Sequence, residues 1–119
     1  MAGFTIAHLD DLERPFPNWA LARKTLGLQS FGMNVIELPP GESIPEHDET
    51  ERDHEEVFLV LSGEATMVIG GEEHLAPAGT FVRLDPEPLR TVVNRGAGVA
   101  TVLIVSAPRT SGYEPLPWA

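Results

Sequence analysis

Gly41-Glu42-Ser43-Ile44-Pro45-Glu46-His47, followed by Glu49, His54, Glu56 and Gly63, decides how this chain is read. The stretch sets two imidazoles and several carboxylates directly before an apolar run, Val57 to Leu61, that stops at Ser62-Gly63. Imidazole and carboxylate are ordinary ligands for a divalent ion. Strand alternation sorts the run into two faces. His54, Glu56, Phe58 and Val60 share one, and Val57, Leu59 and Leu61 share the other. Both faces are apolar beyond the first turn, so this strand is expected to be covered on both sides. In a chain this small the second cover is expected to be a partner subunit, which makes a homodimer the expectation.

Outward from this strand the chain reads as all-β. Eleven Gly and eleven Pro punctuate its whole length and leave little room for long helices. Between the breakers lie short runs of strand-forming residues: Phe31 to Leu38, Val57 to Leu61, Ala65 to Ile69, Thr80 to Leu84, Leu89 to Asn94 and Val99 to Ser106. Gly70-Gly71 is a hairpin signal. Runs at this spacing suggest a sandwich or barrel. Residues 1–30 read as an N-terminal arm or edge segment. Asp10 to Glu13 is expected to form a helical turn, and Trp19 to Thr25 a strand or short helix. Residues 31–108 form the barrel, and 109–119 an extended, proline-rich tail whose aromatics are expected to anchor on the barrel surface.

Composition narrows the function. At 119 residues one domain is expected, with one core. A net charge of -10 argues against nucleic-acid binding and against anionic membranes. No apolar stretch approaches the ~20 residues that span a bilayer. The first ten residues lack a basic region followed by an apolar run, so a cytoplasmic location is the expectation. The absence of cysteine excludes disulfides and thiolate chemistry. Seven of the eleven residues from Glu46 to Glu56 are Asp or Glu. Of these, Glu46, Asp48, Glu51 and Asp53 are expected to face water.

The spacing of the central stretch resembles the cupin superfamily, specifically its small single-domain members. Their first motif runs Gly, five residues, His-x-His, three or four residues, Glu, six residues, Gly. Gly41, His47, Glu56 and Gly63 match it. The second runs Gly, five residues, Pro-x-Gly, two residues, His, three residues, Asn; Gly79 and Asn94 keep its spacing. The resemblance implies a jelly-roll β-barrel with a small-molecule site inside, often dimeric. The departures fall on the ligands. Glu49 stands for the second histidine, six residues separate it from Glu56, Asp85 and Glu87 replace the Pro and Gly, and Arg90 occupies the last histidine position.

The candidate pocket is therefore His47, Glu49, His54, Glu56, Phe58, Arg90, Val92 and Asn94. In an extended segment His47 and Glu49 point the same way, as do His54 and Glu56. These four are the candidate metal ligands, for zinc, manganese, iron or nickel, with His54 able to stand in for the missing histidine. Arg90 opposes that reading. A guanidinium stays charged and cannot ligate a metal. At ~4 Å and an effective dielectric near 20, each unit pair is worth ~4 kcal/mol before screening, which favours Arg90 beside Glu49 or Glu56. Arg90 is then a substitute for the metal charge, or a partner for a ligand carboxylate or phosphate. Trp19, Phe31, Phe58 and Phe81 are candidates for the apolar lining.

Three functions follow: a small-molecule-binding cupin without a working metal site, a metal-dependent enzyme of dioxygenase or isomerase type, and a non-catalytic dimeric binding protein. The cofactor is accordingly none or one divalent metal.

Overall fold

The structure, a computed structural model, describes residues 3–119. Its strands are β1 (Glu13–Phe16), β2 (Trp19–Leu21), β3 (Gly32–Leu38), β4 (His54–Ser62), β5 (Glu64–Ile69), β6 (Glu72–Pro77), β7 (Phe81–Leu84), β8 (Arg90–Val93) and β9 (Ala100–Pro108). One short helix, α1 (Ala22–Leu26), follows β2. Two antiparallel sheets result. The larger is ordered β1-β2-β3-β9-β4-β7 and the smaller β6-β5-β8. This is the jelly-roll arrangement expected from the spacing of the runs.

Alternation along each strand builds the core. Ile36 and Leu38 from β3, Phe58 and Val60 from β4, and Val102 and Ile104 from β9 turn inward from the large sheet. Met67 and Val92 meet them from the small one. Phe58 pairs with Ile104 and Val60 with Val102 in register, so the apolar rows of neighbouring strands align. Chain reversal after β4 requires glycine. Gly63 has φ of 75°, and a Cβ there would lie 2.4 Å from the Val99 carbonyl oxygen.

Several local expectations are corrected. Trp19 to Thr25 is both strand and helix: β2 ends at Leu21 and α1 begins at Ala22. With β1, this arm extends the large sheet. The helical turn near Asp10 is a 3-10 turn at Leu9–Asp11. The second strand of the Gly70-Gly71 hairpin, β6, has a polar, proline-ended sequence and was not expected. The tail aromatics do not anchor: Tyr113 is 76% exposed and Trp118 82%. Asp53 is only half exposed, because Arg109 pairs with it at 2.7 Å. No helix among the described residues is long and apolar enough to cross a membrane.

Candidate functional site

The site forms where the segment after β3 runs beside β8. Gly41 donates to the Asn94 carbonyl at 2.7 Å, Ile44 to that of Val92 at 3.2 Å, and His47 to that of Arg90 at 3.0 Å. Arg90 returns a bond to the His47 carbonyl at 2.8 Å. The segment is thus zipped antiparallel along β8, which places His47 across from Arg90. Glu49 donates its backbone N–H to the Pro86 carbonyl at 2.9 Å, holding the next turn against the β7–β8 loop. β4 then brings Glu56 beneath both.

His47, Glu49 and Glu56 converge, with one candidate ligand atom from each lying within 4.8 Å of the others. His47 Nε2 is 3.5 Å from Glu49 Oε1 and 3.9 Å from Glu56 Oε1. Its Nδ1 lies 3.0 Å from the Pro45 carbonyl oxygen, a contact that fixes the ring when Nδ1 carries the proton. His54 lines the same pocket but lies outside this cluster.

Arg90 is fully buried. Its Nη1 donates to Glu56 Oε1 at 3.3 Å and its Nη2 to the Asp85 carbonyl. Its Nε has no hydrogen-bond partner among the described residues. Arg90 shares the inward face with Val92 and Asn94, as alternation along β8 requires. Glu49 faces a second guanidinium, that of the exposed Arg52, at 3.5 Å. Burial pushes the Glu56 carboxyl above the ordinary glutamate range, and the Glu49 charge adds to this; Arg90 and His47 pull the other way.

The surrounding pocket encloses about 240 Å³. Trp19, Asn34, Ile44, His47, Glu49, Arg52, His54, Glu56, Ile104 and Ser106 line it. Of the expected pocket residues, Phe58, Arg90, Val92 and Asn94 lie buried behind this lining rather than in it. Asn94 is engaged elsewhere. Its side-chain amide donates to the carbonyls of Leu38 and Gly98, both at 2.7 Å, and its carbonyl oxygen accepts from Gly96 N–H at 2.9 Å. Of the four aromatic candidates only Trp19 lines the pocket; Phe58 is core and Phe81 is 71% exposed on the outer sheet face. Asn34 and Ser106 were missed, although period-2 alternation carries their signal. Asn34 falls on the inward face with Ile36 and Leu38, and Ser106 with Ile104 and Val102.

The donor set fits a divalent ion only in part. Ligand atoms each ~2.1 Å from one centre lie some 3 to 4 Å apart, as the His47 and glutamate atoms do. Yet the Glu56 oxygen that faces His47 is the one held by Arg90.

A family model described as "Cupin domain" matches residues 34–106, and the chain belongs to that family. Solved structures agree on the fold. A cupin protein from Bacteroides fragilis shares 19% identity at a TM-score of 0.83, over 99% of this chain and 94% of the other. A sugar phosphate isomerase of the cupin superfamily from Silicibacter pomeroyi shares 21% at 0.72, over 87% and 75%. A predicted oxalate decarboxylase from Thermotoga maritima shares 20% at 0.66, over 76% and 78%. No curated protein matches the chain.

Proposed function

We propose that this cupin binds a small organic molecule in the pocket between the segment 41–49 and the inner face of the large sheet, without a metal ion. The Arg90–Glu56 pair carries this reading. Arg90 supplies positive charge to the oxygen that an ion would otherwise bind, and Arg52 stands 3.5 Å from Glu49 Oε2, the oxygen other than the one beside His47. Two carboxylates are then balanced by two guanidiniums, and a divalent ion would add excess positive charge at short range. Glu56, with its carboxyl proton held to higher pH, is the group suited to proton exchange with a bound ligand. A thermal-shift screen of small organic compounds and of metals, run on wild type and Arg90→His, tests the proposal. Wild type is expected to be stabilised by organic compounds in the presence of chelator, and by no metal. Stabilisation by metals alone would contradict it.

A second reading keeps a metal on His47, Glu49 and Glu56. The convergence of their ligand atoms supports it, as does the contact that orients the His47 ring. A bound divalent ion would supply Lewis-acid polarisation of a ligand oxygen. Arg90 would then hold Glu56 from behind.

The protein is further taken to be a homodimer through the outer face of the large sheet. Leu59 pairs in register with Phe81 on one side and Leu103 on the other, and Val57 with Val105. Phe81 is largely exposed there, while α1 packs on β3. An exposed apolar band on a chain of net charge -10 supports pairing with a second copy rather than with an anionic surface.

A further inference from the structure

We infer that the pocket takes a neutral, polyhydroxylated small molecule, a free sugar or polyol, rather than a carboxylate or phosphate; this rests on the metal-free pocket proposed above. The lining presents acceptors to the ligand and keeps its cations occupied. Glu49 and Glu56 both face the cavity. Arg90, which would be the natural partner of an anion, is fully buried behind Glu56 and does not line the space. Arg52 lines the cavity with its Nη1 3.5 Å from Glu49 Oε2. An anion entering here would meet two carboxylates, and the one guanidinium on the wall already has Glu49 beside it. A hydroxyl group can donate to a carboxylate and still accept from another group.

The rest of the wall suits the same chemistry. Asn34, Ser106 and the Trp19 indole make no side-chain hydrogen bond to the protein among the described residues, and all three line the cavity. Together they offer donors and acceptors in mixture, beside one aromatic surface on which the C–H face of a sugar ring can lie. Register places them. Ser106 sits between Gly32 and Glu56 in one row across the sheet, and Asn34 lies next to Ile104 in an adjoining row. Gly32 keeps this row open, since a Cβ there would come 2.5 Å from Ser106 Oγ. At about 240 Å³ the space is below the ~300 Å³ at which pockets for drug-sized ligands begin, which limits the occupant to a small one.

Trp19 provides the readout. The chain holds two tryptophans, and Trp118→Phe removes the exposed one. Emission of that variant would be followed in EDTA during titration with ribose, xylose, glucose and sorbitol, and with ribose 5-phosphate and gluconate as charged counterparts. A saturable change with at least one neutral compound is expected, with its charged counterpart at least about tenfold weaker. Asn34→Ala and Ser106→Ala should each weaken the neutral ligand roughly 3- to 10-fold without shifting the melting temperature. Equal or tighter binding of the charged counterpart would overturn the ligand class and leave the pocket reading standing. No saturable response to any neutral compound would also overturn it. A response that appears only when zinc or manganese replaces EDTA would overturn the metal-free reading beneath it.

Discussion

Arg90 Nη1 lies 3.3 Å from Glu56 Oε1, the same carboxylate oxygen that stands 3.9 Å from His47 Nε2. Both partners are almost completely buried. A buried ion pair is costly to break and often cheap to replace, because removing one partner strands the other in a low dielectric. Arg90→Met should therefore destabilise the protein by about 3–5 kcal/mol, and adding Glu56→Leu should recover most of that loss. Urea denaturation of the two variants checks this. Additive losses in the double variant would contradict the pairing.

The Glu56 carboxyl also predicts a pH dependence. Its value is raised above the ordinary 4.5, chiefly by burial. As pH rises, the unfolded chain loses this proton first and the folded protein keeps it longer. The folded state binds more protons across that window, so stability falls as pH climbs from the unfolded value through the folded one. Glu56→Gln cannot titrate, and its stability curve should lack this fall, whatever constant offset the loss of charge beside Arg90 brings. Urea midpoints measured from about pH 4 to pH 8 in chelator decide the matter. Parallel curves for the two proteins would contradict it.

Asn94 holds three hydrogen bonds that close the turn after β8 against Leu38 and Gly98. Asn94→Ala orphans the buried Leu38 carbonyl at about 1–3 kcal/mol and removes two further, partly buried bonds. The melting temperature should drop while affinity for pocket ligands stays unchanged. A selective loss of affinity would return Asn94 to the pocket.

On the outer face, Leu59 is flanked in register by Phe81 and Leu103. Leu59→Glu should convert a dimer to a monomer with an unaltered far-ultraviolet circular dichroism spectrum. Sedimentation equilibrium reports the change. A monomeric wild type would contradict the proposed interface.

The fold was legible because it is written in local chemistry. Val57 to Leu61 alternates between two apolar faces, and Gly63 sits where only glycine avoids the Val99 carbonyl. Spacing also put Arg90 on an inward face, since period-2 geometry fixes which side a strand residue takes. What the sequence left open is depth. Alternation gives the face of Phe58, Val92 and Asn94 but not whether a neighbour's side chain stands between them and the cavity. β6 was hidden because an edge strand bears polar residues and proline without cost to a core. The tail misled because aromatic residues beside prolines look like anchors, and only the three-dimensional surface decides whether a groove receives them. Asn34 and Ser106 were within reach, as polar residues on rows otherwise filled by Ile36, Leu38, Val102 and Ile104.

Whether the Arg90 guanidinium takes the place of an ion beside Glu56 is read out by elemental analysis of untagged protein, exposed to excess zinc or manganese and then desalted, for wild type and Arg90→His side by side. Wild type should retain far less than one ion per chain, and the imidazole variant more. One ion per wild-type chain, lost on Glu56→Gln or His47→Ala, would contradict it.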